Sequence, residues 1–83
     1  MIGSLKGVVD YQDASSIIID VHGVGYKVLI PVNVSAVVGE QIKLFIHTHV
    51  REDLLELYGF TEAPDLKLFE YLISVSGVGC KIA

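Results

Sequence analysis

Apolar and polar side chains alternate along most of residues 1–60, and this period of two is typical of half-buried β-strands. Turn sequences such as Asp13-Ala14-Ser15 and Gly39-Glu40 interrupt the alternation. Five short strands with strong bends are typical of a small closed barrel. The pattern predicts a mainly β fold, with a five-stranded antiparallel barrel of the OB type over residues 1–61. The predicted strands are 1–11, 16–22, 26–30, a segment after Gly39-Glu40 that ends near Val50, and 54–58.

Successive side chains of a strand point to opposite faces of its sheet, so the pattern also divides the residues of each predicted strand into two sets. The first strand places its apolar residues on one face, and the fourth strand separates an apolar set from a polar set. These sets are Leu5, Val9 and Tyr11 on the first strand, Ile42, Leu44, Ile46 and Val50 on one face of the fourth, and Lys43, His47 and His49 on its other face.

The period changes after the predicted barrel. Apolar residues recur at helical spacing at Leu66, Phe69 and Ile73, while Thr61 is a suitable N-cap and Pro64 falls in the first turn. This pattern predicts a helix over about 62–74. We interpret residues 62–83 as the start of a second domain, in which the helix leads into an incomplete helix–hairpin–helix motif.

The segment after this helix carries the clearest candidate chemistry. Two glycines flank one aliphatic residue, a lysine follows two positions later, and a second helix could begin here. Glycines allow a tight turn and close approach to another molecule, and the free amides at a helix start attract anions. These features fit a cradle for one phosphate, but the commoner use of such glycines is a helix C-cap with a tight connection, and the residues alone leave both open. The candidate phosphate-binding residues are Gly77, Val78, Gly79, Cys80 and Lys81.

The charge of the chain argues against an ordinary nucleic-acid-binding domain. The formal net charge is −4, whereas such domains usually present a basic face. Any contacts to DNA must therefore be few and local, or be supplied by many copies. The single cysteine, Cys80, cannot form an internal disulfide and fits a reducing cytoplasm. We expect no secretory signal and no membrane-spanning segment.

Other candidate sites in the sequence are weak. His47 and His49 lie two apart on a predicted strand, with His22 as a third histidine, but no cysteine or carboxylate cluster completes a metal site. No Walker-type phosphate loop and no nucleophile beside a histidine–acid pair are recognisable. We expect no metal, no cofactor and no catalytic residue, so the chain is not predicted to be an enzyme.

Several motifs, in their order and spacing, give the whole chain a resemblance to the N-terminal part of the RuvA family of Holliday-junction branch-migration proteins. Each motif is weak by itself, and the series is specific. The motifs are Met1-Ile2-Gly3-Ser4-Leu5-Lys6-Gly7, Gly23-Val24-Gly25-Tyr26, Val50-Arg51-Glu52-Asp53, Leu57-Tyr58-Gly59-Phe60, Leu68-Phe69 and Gly77-Val78-Gly79.

The resemblance implies an OB barrel, then a domain with two helix–hairpin–helix motifs, then a flexible C-terminal domain that binds the RuvB ATPase. It implies a non-catalytic homotetramer that recognises four-way junctions during recombination and repair, together with RuvB and the RuvC resolvase. In such a tetramer Glu52 and Asp53 would form an acidic pin at the junction centre. Without the resemblance, Arg51-Glu52-Asp53 would be interpreted as a solvated hairpin tip.

The chain departs from the family pattern in two respects. The family usually has proline at the position of Cys80, so the rigidity of the hairpin differs. The second hairpin motif and the RuvB-binding domain are absent, and we therefore expect a truncated chain. The alternative is an OB-fold assembly module that uses its apolar surface and free strand edges without contacting DNA.

Overall fold

The computed structural model describes residues 1–75, which form five β-strands and one helix. All five strands lie before the helix, as the change of period at Thr61 predicts. The elements in chain order are β1 (Ser4–Gln12), β2 (Ser16–Val21), β3 (Val24–Leu29), β4 (Gln41–Arg51), β5 (Leu54–Phe60) and α1 (Ala63–Val75).

The strands close into a barrel in the order β1-β2-β3-β5-β4, with β4 returning to β1. The predicted five-stranded barrel of the OB type followed by one helix is confirmed. Four of its pairings are antiparallel, but β3 runs parallel to β5, with Val28 opposite Leu57 and Leu29 opposite Tyr58. The expectation of an entirely antiparallel barrel is therefore wrong for this pairing. The long connection from β3 to β4 allows β5 to reach β3 in the parallel direction.

The barrel interior is filled by aliphatic side chains that every strand contributes. Its centre has no contact with water, because Ile17, Ile19, Val28 and Leu44 are fully buried. Branched side chains suit this position, since they pack well on a pleated surface. The buried residues of this core are Leu5, Val9, Ile17, Ile19, Val28, Ala36, Leu44, Ile46 and Leu57.

A β-bulge on β1 overturns one assignment of the sequence pattern. Val9 lies opposite Ile19, yet Tyr11 lies opposite Ile18, so the register shifts between Val9 and Tyr11. An extra residue in one strand reverses the direction of the side chains beyond it. Val9 is consequently buried, whereas Tyr11 is 54% exposed and does not share the interior face with Leu5 and Val9.

Helix α1 packs on the outside of the barrel, over β4 and β5. Phe69 is buried there, with its ring centroid 5.1 Å from that of Phe60 and 5.5 Å from that of Tyr58. The predicted stripe of Leu66, Phe69 and Ile73 is the side that faces the barrel. Within residues 1–75, no helix has the length and apolar character needed to cross a membrane.

The helix begins two residues later than Thr61. The carbonyl of Glu62 accepts hydrogen bonds from the amides of Asp65 and Leu66, at 3.1 and 3.4 Å, so Glu62 occupies the N-cap position. The prediction of Thr61 as the N-cap is wrong by one residue, because hydrogen bonding rather than side-chain preference sets the start of the helix. The proposed division into domains at residues 61 and 62 stays a prediction.

The turn between β1 and β2 is organised by the carboxylate of Asp13. Its Oδ1 accepts hydrogen bonds from the amides of Ser15 and Ser16, at 3.0 and 2.8 Å, and from the hydroxyl of Ser16 at 3.0 Å. The amide of Ser15 and then that of Ser16 lower the pKa of Asp13 from its ordinary value of 3.8. The folded state therefore favours the ionised carboxylate, as in an Asx turn.

We expect Asp13→Ala to lower the melting temperature at neutral pH. A lowered pKa contributes stability that is fully present above the unfolded value and is lost as the pH falls through the folded value. The difference in melting temperature between Asp13→Ala and the unsubstituted chain should accordingly become smaller at pH values below 3.8. Thermal unfolding from neutral pH to below 3.8 measures this difference, with Asp10→Ala on the exposed side of β1 as the control. An equal loss at every pH would contradict the role of the charge.

Candidate nucleic-acid interface

Strands β4 and β5 continue past the barrel as a two-stranded ribbon. β4 pairs with β1 only over Gln41 to Phe45, and β5 pairs with β3 only at Leu57 and Tyr58. Gly3 and Ile2 still bond Ile46 and Thr48 of β4, and the strand pairing then continues between β4 and β5 up to the pair Arg51 and Leu54. We call residues 49–56 the ribbon. It places its turn away from the buried layers of the barrel.

The turn at the end of the ribbon consists of Glu52 and Asp53. Both residues are exposed, and neither carboxylate forms a salt bridge with a residue in the range 1–75. Their predicted position on an exposed connection is confirmed. In the same range His22 is the only non-glycine residue with positive φ, so this turn accommodates ordinary L side chains at both positions.

Arg51, the base next to the acidic pair, is bonded elsewhere. Its Nε–H donates a hydrogen bond to Nε2 of His49 at a distance of 3.1 Å. Residues two apart on a strand lie on the same face, which brings these side chains together. This contact holds the guanidinium of Arg51 along the ribbon.

The two faces of the ribbon differ in polarity. Val50 and Leu55 lie opposite each other, continue the apolar face of the barrel beyond its end, and are 60% and 62% exposed. His49 lies opposite Glu56 on the other face, where the hydroxyl of Tyr58 donates to Oε1 of Glu56 at 2.9 Å. The polar face leads from the acidic turn towards helix α1.

His47 joins this polar face to the helix. Its Nδ1 lies 2.9 Å from Oε2 of Glu70, and its ring meets that of Phe69 edge-on with centroids 5.4 Å apart. Glu70 escaped the sequence analysis because a glutamate on a helix gives no sign of which strand residue it meets. The sequence did indicate the position of His47, because the alternation of β4 places it on the face opposite Leu44 and Ile46.

The three histidines are not gathered at one point. His47 bonds Glu70, His49 bonds Arg51, and His22 lies in the turn between β2 and β3. Among residues 1–75, no group of three or more histidine, cysteine, aspartate or glutamate side chains is arranged to hold a metal ion.

The predicted phosphate cradle lies outside the described residues. This applies to Gly77, Val78, Gly79, Cys80 and Lys81, which follow the end of α1 at Val75. Of the two candidate sites for DNA, the structure therefore describes only the acidic turn.

One flank of helix α1 exposes several large apolar side chains. Below it, a cavity of about 150 Å³ opens between α1 and the connection that follows β3, next to Pro31, Asn33 and Phe60. In a folded chain of this size such a face is typical of a surface that packs against further protein. The exposed apolar residues of the helix are Leu68, Tyr71, Leu72 and Val75.

Comparison with known proteins finds a family and a group of close relatives. Residues 1–59 match the family model of the RuvA N terminal domain. The whole chain aligns with the Holliday junction branch migration complex subunit RuvA of Halothermothrix orenii at 49% identity, covering 43% of that protein. The subunits of the same name from Herpetosiphon aurantiacus and Francisella tularensis subsp. novicida are 44% and 41% identical, with 44% and 40% of their lengths covered. The chain thus spans less than half the length of these curated relatives.

Proposed function

Because the chain belongs to the RuvA N-terminal domain family, we propose that it is the barrel portion of a non-catalytic subunit that recognises four-way DNA junctions. The subunit holds the junction open and directs the RuvB motor during branch migration in recombination and repair. The observation that carries this proposal is the ribbon, which ends in two exposed carboxylates without a salt bridge.

The acidic turn acts on DNA by repulsion. A carboxylate and a phosphate about 4 Å apart repel each other by roughly 4 kcal/mol at an effective dielectric constant of 20. Glu52 and Asp53 therefore disfavour a continuous duplex at the ribbon tip, where phosphates would approach them from both strands. The open centre of a four-way junction separates the strands and leaves room for the tip. An acidic chain can in this way select a DNA structure without binding duplex DNA strongly.

Attraction to DNA comes from the segment after α1. Backbone amides of Val78 to Lys81 would hold one phosphate, and Gly79 would allow its close approach. Lys81 would add a charge contact, and Cys80 would replace the proline usual at this position. The carboxylates shape the junction while these amides hold it.

We expect further partners for the full-length subunit. We propose a homotetramer, so that four acidic turns meet at the junction centre, with RuvC acting on the same DNA. RuvB would bind a region beyond residues 1–83. The lone Cys80 is suited to the cytoplasm, where thiols stay reduced.

A binding measurement on full-length protein carrying this chain tests the proposal. We expect higher affinity for a synthetic four-way junction than for a linear duplex of the same arm sequence, falling steeply with salt. Gly79→Val should weaken junction binding by blocking the phosphate, and Lys81→Ala should lower the salt slope by roughly 0.9. The Gly3→Ala variant is the control, because its added Cβ meets nothing within 4 Å.

Two results would contradict the proposal. Equal affinity for junction and duplex would remove the role in junction recognition. Binding that is insensitive to salt would favour the apolar assembly module instead. If Gly79→Val keeps a junction affinity within twofold of that of the unsubstituted protein, the amide cradle is excluded, but the role in junction recognition is not.

A further inference from the structure

The contact between Arg51 and His49 has a defined chemistry. Arginine Nε always carries a proton and can only donate, so Nε2 of His49 accepts the hydrogen bond. The imidazole is therefore neutral and carries its proton on Nδ1. Glu56, directly opposite His49 across the ribbon, adds a negative charge to the same face. The hydrogen bond to His49 thus holds the guanidinium along the ribbon.

Without this contact, Arg51 has another set of partners close by. It is adjacent to Glu52, and the tight turn brings Asp53 near as well. A guanidinium forms forked, charge-assisted hydrogen bonds with carboxylates, which neutral acceptors do not match. An Arg51 side chain turned towards the tip would cancel part of the negative charge there. The electrostatic selectivity of the turn thus depends on where Arg51 points.

We propose that His49 is a positioning residue that holds Arg51 away from Glu52 and Asp53, so that the ribbon tip presents its full negative charge to DNA. This inference rests on the proposed function, since it explains how the acidic turn is kept effective. His49 does not touch DNA in this proposal. It acts on the ribbon tip through Arg51.

The test is a double-mutant cycle in full-length protein carrying this chain. His49→Leu removes the acceptor, whereas His49→Gln keeps an oxygen acceptor at a similar distance from the backbone. Each is made with Arg51 present and with Arg51→Gln. The measured quantity is the ratio of junction affinity to duplex affinity at one fixed salt concentration.

We expect His49→Leu to lower this ratio roughly threefold, as is usual for the gain of an exposed ion pair. His49→Gln should keep the ratio at the unsubstituted value. In the Arg51→Gln background His49→Leu should have no effect, because no guanidinium remains to move. A role of His49 in folding alone would lower the ratio equally in both backgrounds and would overturn the proposal, as would an unchanged ratio with Arg51 present.

A spectroscopic measurement tests the geometry independently of DNA. The ¹⁵N chemical shifts of the His49 ring should place its proton on Nδ1, and Arg51→Gln should shift the Nε2 resonance. A proton on Nε2 would overturn the proposal. Loss of junction preference in the unsubstituted protein would instead overturn the proposed function and this inference together, so the two failures are distinguishable.

Discussion

Replacing Glu52 with Gln and Asp53 with Asn together should strengthen binding to linear duplex DNA and reduce the preference for four-way junctions about tenfold. The reason is that both exposed carboxylates repel phosphates at the ribbon tip, and neither is neutralised by a salt bridge. Duplex DNA gains most, since its phosphates are the ones that the tip keeps away. The affinity ratio of full-length protein for junction and duplex, at one salt concentration, measures the effect.

Stability should hardly change in this double variant. Exposed charges contribute little to folding, and the turn accepts ordinary L side chains because neither residue has positive φ. A control with the same change in net charge is Asp10→Asn with Glu62→Gln, at exposed positions on β1 and at the start of α1. If the control shifts the affinity ratio as much as the tip variant does, net charge rather than the acidic turn governs selectivity.

Gly59→Ala should destabilise the barrel by about 1–3 kcal/mol, the usual cost of overpacking a core. An added Cβ would lie 2.6 Å from Cγ1 of Val28 and 3.1 Å from Cδ1 of Leu44, both in fully buried side chains. The backbone has little freedom to retreat, because β5 is paired with β4 at Ile46 and with β3 one residue earlier. Gly59→Val should prevent folding.

Thermal unfolding followed by circular dichroism measures this loss. For a domain of this size, each kcal/mol lowers the melting temperature by roughly 4–8 °C. Gly3→Ala is the matched control, because its Cβ would meet nothing within 4 Å and its melting temperature should stay unchanged. Equal melting temperatures for the Gly59→Ala and Gly3→Ala variants would show that the barrel interior has space at Gly59.

The sequence pattern was sufficient for the strands and for the acidic turn. Alternation on β4 separates Leu44 and Ile46 from His47, and the structure buries the first two while placing His47 under the helix. The turn at Glu52 and Asp53 follows from the same alternation, because it lies between two strands whose period breaks there. The strands and the turn are local features, so the order of apolar and polar residues along the chain is enough to predict them.

Features that depend on distant residues, on register or on side-chain geometry were not predictable in this way. The parallel pairing of Val28 with Leu57 joins strands that are not neighbours in sequence, and hydropathy alone does not specify partners. The bulge that exposes Tyr11 inserts a single residue into β1, which breaks the period without any glycine to mark it. The contacts of His47 with Glu70 and of Arg51 with His49 depend on side-chain geometry that spacing does not determine.

The parallel pairing of β3 with β5 also determines the order in which the chain can fold. The pairs β1–β2, β2–β3 and β4–β5 join strands that are consecutive in sequence, so each can form as a local hairpin. The pairs β1–β4 and β3–β5 require closure of long loops, which costs chain entropy before any contact is gained. We therefore expect a three-stranded meander and a separate hairpin to form early, and barrel closure to limit the folding rate. A substitution at Val28 or Leu57 would then slow refolding more than one within the β1–β2 hairpin.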